Sequence, residues 1–132
     1  MIAIIDVCGV MEILFRREKA DMFNKLIDKA TLVVAPDLYI TELTNTLWKY
    51  HAAKKRTKNE CLELIKDGID YINVFVDTKE IWEEAFLEGI NNNHSVYDMF
   101  YMVAARRHAG TLVTNDSTLA AICKKHHIQV CY

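Results

Sequence analysis

The sequence predicts an α/β fold, a three-layer α/β/α sandwich built on a mostly parallel five-stranded sheet. Two observations carry that prediction. Short apolar runs such as "MIAII" and "TLVVA" alternate from end to end with stretches whose apolar residues recur at helical spacing. The runs are apolar throughout rather than alternating, which suits strands buried on both faces between helical layers. A length of 132 residues allows one domain, 1–132, with a sizeable core.

"MIAII" is the first strand. "GVMEILFRREKADMFNKLIDKA" has helical spacing, as two helices with a break near Glu18, and "TLVVA" is a second strand stopped by Pro36. From Asp37, a candidate N-cap, to about Lys55 the pattern is helical, with Leu38, Leu43, Leu47 and Tyr50 near one face. "TKNECLELIKDGI" is a further helix ending near Gly68, as C-terminal signals prefer. "YINVFV" is the third strand, and Asp77 and Glu80 bracket a capping-type start for "TKEIWEEAFLEGI". Ser95 opens a helix through "VYDMFYMVAARRHA", closed by Gly110. "TLVT", "DSTLAAICKKH" and "IQVC" follow as strand, helix and strand. There is no internal repeat and no low-complexity segment.

Composition narrows the classes. Hydrophobic residues make up 52%, which argues against disorder. Sixteen Lys and Arg against 18 Asp and Glu give a formal charge of -2. That excludes a histone-like basic binder but leaves room for a local basic groove. Cys8, Cys61, Cys123 and Cys131 form no C-x-x-C pair, so a zinc ribbon or thioredoxin-like site is unsupported. "MIAIID" carries no basic leader, and no apolar run approaches the ~18 residues of a membrane span. The expectation is a cytoplasmic protein with free thiols and no membrane association.

Open parallel sheets place functional groups at the carboxyl ends of strands, near the point where strand order reverses. The first strand ends at Asp6, and the fourth in Thr114, Asn115 and Asp116. Glu42 and Asp98 sit early in apolar helical stretches that begin at that same edge. Four carboxylates in one cavity repel and raise one another's pKa, and a divalent cation relieves them. Oxygen ligands without His or Cys favour Mg²⁺ or Mn²⁺, ions suited to phosphodiester hydrolysis. Each acid also has a plain structural reading. Asp6 and Asp116 are potential helix caps, Ser95 with Asp98 a capping box, and Glu42 a solvated helix residue.

These residues carry a resemblance. "IIDVCGVMEIL", "APDLYITELTNTL" and "HSVYDMFYMVAARRHAGTLVTNDSTLA" make the chain similar, nearly end to end, to the PIN-domain family. Within that family it resembles the VapC-like toxin ribonucleases of toxin–antitoxin pairs. Members show an Asp after the first strand, a Glu followed three residues later by Asn, an S-x-x-D helix start and a T-x-D turn. Asp6, Glu42 with Asn45, Ser95 with Asp98, and Thr114 with Asp116 match in order. Cys8 departs from the pattern, standing where a small hydroxyl or amide residue is usual.

The resemblance implies Mg²⁺- or Mn²⁺-dependent cleavage of RNA, a cognate antitoxin protein and a homodimer. Asp6, Asp98 and Asp116 would be the closest metal ligands, and Glu42 a direct or water-mediated one. Thr114, Asn115 and Ser95 would support them, and Asn45 would orient Glu42. Lys49, Lys54, Lys55 and Arg56 read either as cations at a helix C-terminus or as a basic flank for the RNA backbone. Trp48, Trp82, Phe100 and Tyr101 read as core or dimer interface. Two rivals stay open: an inactive PIN fold that binds RNA or a partner, and a receiver-like Mg²⁺-binding module with Asp77 as acceptor. A phosphatase with D-x-D after the first strand fails on "DVC".

Overall fold

The structure is a computed structural model covering residues 1–132. Five strands, β1 (Ile2–Ile5), β2 (Leu32–Pro36), β3 (Val74–Val76), β4 (Thr111–Val113) and β5 (Val130–Cys131), form one sheet. Its order is β3-β2-β1-β4-β5, and every neighbouring pair is parallel. Ile4 and Ile5 of β1, Val34 and Ala35 of β2, and Leu112 and Val113 of β4 are all but fully buried. Central parallel strands carry helices on both faces, so their sequences are apolar without alternation.

Seven helices complete the fold: α1 (Val7–Leu14), α2 (Ala20–Lys29), α3 (Leu38–Ala52), α4 (Lys58–Asp70), α5 (Trp82–Asn92), α6 (Val96–Arg107) and α7 (Ser117–Lys125). α1, α3 and α4 pack on one another in one layer, and α6 packs on α5, α7 and the central strands in the other. Tyr39, Leu43 and Leu47 of α3 face inward, as do Met99, Tyr101 and Met102 of α6. No helix is long and apolar enough to cross a membrane.

Several helix ends differ from the sequence reading. α4 runs two residues past Gly68, which is not a cap. A Cβ there would stand 2.6 Å from Leu43 Cδ2, so the missing side chain lets α4 lie close on α3. α6 ends at Arg107, and the left-handed residue beyond it is Ala109 (φ 47°), not Gly110. Asp77 caps a single 3₁₀ turn, Thr78–Glu80, so α5 begins only at Trp82. Asp37 and Ser95 stand at N-cap positions but accept no capping hydrogen bond. The Ser95–Asp98 capping box therefore does not form. The break near Glu18 lies between α1 and α2 as expected.

Candidate active site

From β1 the chain winds outward to β3, then crosses back to β4 and on to β5, so the reversal lies between β1 and β4. The register pairs Ile5 with Val113, which sets Asp6 and Thr114 side by side at the carboxyl edge. Asp6 is 5% exposed. Its Oδ1 accepts from the Gly9 N–H at 2.6 Å, capping α1, and its Oδ2 accepts from the Thr114 hydroxyl. Thr114 Oγ1 in turn accepts from the Asp116 N–H at 3.0 Å. Gly9 permits this arrangement: a Cβ there would be 2.6 Å from the Val113 carbonyl oxygen. Asp116 Oδ1 caps α7 through the Thr118 and Leu119 N–H groups, at 2.8 and 2.9 Å.

The other two acids arrive on helices. Glu42, in the second turn of α3, accepts from the buried Tyr101 hydroxyl at 2.6 Å through Oε1. Asp98, in the first turn of α6, has its Oδ2 2.6 Å from His94 Nε2. Asn45 and Ser95 are exposed and bond neither acid; Tyr101 and His94 hold those positions. Asn45 and Lys49 follow Glu42 by three and seven residues, so all three share one stripe of α3.

Two of the acids, Asp6 and Glu42, respond to burial and to neighbouring carboxylates. Asp6 is pushed up to about 7, by burial first, against the Thr114 and Gly9 hydrogen bonds, with the charges of Asp98 and Asp116 adding to the rise. Burial raises Glu42 as well, opposed by Tyr101 and helped by Asp98. Cys8 reaches the surface beside them, and its thiol is pushed up to about 12 by burial and by all four acids. It stays protonated at neutral pH and makes no hydrogen bond to Asp6, whose support comes from Gly9 and Thr114.

None of the four pairs with a Lys or Arg. Oε2 of Glu42, Oδ1 of Asp98 and Oδ2 of Asp116 have no hydrogen bond within the protein. Carboxylate oxygens without a countercharge fit a hard divalent cation by chemistry and charge. No three His, Cys, Asp or Glu side chains stand in a ready-made cage for one.

Sequence reasoning missed the bonds from Tyr101 to Glu42 and between His94 and Asp98, and it missed Glu12. Glu12 is 5% exposed in α1 and accepts from Asn115 Nδ2 at 3.0 Å. An acid inside the apolar run "VMEILF" was the available signal, the same one that singles out Glu42 and Asp98. Of the basic residues, Lys54, Lys55 and Arg56 lie at the far end of α3, roughly 18 Å along its axis from Glu42. Arg56 pairs with Glu60 at 3.4 Å and lies over the Phe15 ring, and Lys55 lies over Tyr50. Asp77 follows β3, which β2 separates from β1, so it stands apart from Asp6.

The comparisons agree with this fold. The model of the PIN domain matches residues 3–125. "Ribonuclease VapC3" of Pyrobaculum aerophilum is 21% identical over 119 residues, which span 89% of this chain and 91% of that protein. The crystal structure of PAE2754 from Pyrobaculum aerophilum superposes with a TM-score of 0.72 at 21% identity, covering 91% of this chain and 83% of that one. With a parallel sheet in this order and a family match over nearly its whole length, the chain belongs to the PIN-domain family.

Proposed function

We propose that the protein is a divalent-metal-dependent endoribonuclease, the cytoplasmic toxin of a toxin–antitoxin pair. One observation carries the reading. Asp6, Glu42, Asp98 and Asp116 all act on the Cys8 thiol, none of them pairs with a Lys or Arg, and three of the four keep an oxygen free. Membership of the PIN-domain family and a relative named a ribonuclease support it.

Asp6, Glu42, Asp98 and Asp116 would hold Mg²⁺ or Mn²⁺. When bound, such an ion activates water and neutralises charge on the scissile phosphate. Thr114 fixes Asp6 while Asp116 Oδ1 is committed to α7, so the strand-borne carboxylates are aimed before any ligand arrives. Tyr101 donates to Glu42 and so opposes the rise that burial imposes on its carboxyl. Lys49, on the Glu42 stripe of α3, would meet the RNA backbone, with Lys54, Lys55 and Arg56 further along. Small antitoxin protein and a second copy of the chain are the proposed partners.

The test is cleavage of total RNA by wild type and Asp116→Asn, with Mn²⁺, with Mg²⁺ and with EDTA. Wild type should cut with either metal, and the variant and the chelated enzyme should not. Inactivity of clean wild type with both metals would sink the reading. Cys8, which gives Asp6 no hydrogen bond, favours a second reading, a PIN fold that binds without cutting. Metal bound with no turnover would select it.

A further inference from the structure

Glu12 is the one buried carboxylate that the proposed chemistry does not use. It sits in α1 between Met11 and Ile13, both buried in the core. A charge in that position is costly unless its oxygens are bonded. Oε1 accepts from Asn115 Nδ2 at 3.0 Å and lies 3.6 Å from Arg17 Nη1, and Oε2 faces the Lys19 N–H at 3.5 Å. Arg17 Nη2 also donates to the Tyr50 hydroxyl at 2.6 Å, which ties the segment after α1 to α3.

Asn115 is the residue between Thr114 and Asp116. Each side chain of that turn is therefore held. Thr114 is bonded to Asp6 at the start of α1, Asn115 to Glu12 two turns along it, and Asp116 to the first turn of α7. The turn is clamped at two points of one helix. Without the second point, only Thr114 and the α7 cap would fix the direction of Asp116 Oδ2.

We infer that Glu12 is a positioning residue: through Asn115 it sets the turn after β4 so that Asp116 presents its free oxygen beside Asp6. This rests on the proposed metal site for its consequence, but not for the clamp itself. Partners that orient a ligand are worth roughly 10- to 100-fold in metal affinity.

The experiment has two arms. In the first, Mn²⁺ affinity is measured by calorimetry for wild type, Glu12→Ala, Glu12→Gln, Asn115→Ala and the double alanine variant. Glu12→Ala should weaken binding roughly 10-fold or more. Glu12→Gln should recover most of it, because its amide oxygen still accepts from Asn115. The double variant should lose no more than either single one, as residues acting through one bond do. In the second arm, hydrogen exchange is followed in the metal-free protein at the Asp116, Thr118 and Leu119 amides. Exchange should quicken in Glu12→Ala and Asn115→Ala and stay near wild type in Glu12→Gln.

A Glu12→Ala protein that melts lower yet keeps wild-type Mn²⁺ affinity and exchange overturns the inference, as does a glutamine no better than alanine. So do additive losses in the double variant. If wild type binds no Mn²⁺, the metal reading falls, and the exchange arm alone decides the clamp. Asn115 is exposed, so Asn115→Ala supplies a folded variant should Glu12→Ala fail to fold.

Discussion

The two halves of the acidic edge are built differently. Asp6 and Asp116 follow strands and are held by backbone N–H groups of the helices they cap and by the fully buried Thr114. Glu42 and Asp98 ride on helices, and each depends on one side chain, Tyr101 or His94. Asp6 and Asp116 each have an oxygen tied to a helix N-terminus and are joined through Thr114, whereas Glu42 and Asp98 each turn about side-chain bonds held by a single partner. The strand half is thus the rigid reference, and the helix half is free to adjust to a ligand.

The strongest way to break this contrast is to neutralise the rigid half without disturbing its bonds. In Asp116→Asn, the amide oxygen still caps α7, since Asn caps about as well as Asp. Stability should stay within roughly 1 kcal/mol of wild type, read by chemical denaturation. Losing several kcal/mol of charge stabilisation at the phosphate corresponds to roughly 10³-fold in RNA cleavage rate. A variant as active as wild type would show that Asp116 is a helix cap and nothing more.

Thr114→Val tests the joint between the two strand-borne acids. Valine fills the space but neither donates to Asp6 nor accepts from the Asp116 N–H. Leaving buried polar groups unpaired should cost about 1–3 kcal/mol of stability. Cleavage should fall roughly 10- to 100-fold, with metal affinity falling in step. Stability lost with metal affinity intact would mean that Thr114 serves the fold alone.

On the adjustable half, effects should be smaller. Tyr101→Phe removes the hydrogen bond that opposes the rise of the Glu42 carboxyl. Glu42 then protonates at a higher pH, so the acid limb of the pH–rate profile should move upward. At neutral pH the rate should drop less than roughly 10-fold, the low end for an orienting partner. An unmoved acid limb would remove Glu42 from the ionisations that matter.

How much of this was legible follows from the range of each interaction. Strands and helices were readable because apolar periodicity is local, and β1 and β4 delivered Asp6 and Asp116 to one edge as alternation implied. Gly68 misled because its reason is tertiary, the approach of α4 to Leu43. Tyr101 and Glu42 are 59 residues apart, and Asn115 and Glu12 are 103 apart. No spacing rule joins such pairs. Ser95 and Asp98 had the spacing of a capping box, yet His94, four residues before Asp98, took the carboxylate instead.

The smallest effect concerns stability, and it centres on Asp6, the buried one of the four acids. Burial holds its folded-state pKa at about 7, against 3.8 when unperturbed. A raised acid contributes stability that is fully present below the unfolded value and is lost as pH rises through the folded one. Metal-free protein should therefore melt lower at pH 8 than at pH 5. The difference should be at least roughly 3 °C, about what 1 kcal/mol is worth in a domain of this size. Asp6→Asn cannot titrate there and should flatten that slope. Mn²⁺ should oppose it, because a cation favours the ionised carboxylate and so stabilises most where Asp6 has lost its proton. A melting temperature with the same pH slope in wild type and Asp6→Asn would mean that Asp6 is already ionised in the fold at pH 5, its charge held by the Gly9 and Thr114 hydrogen bonds without a metal.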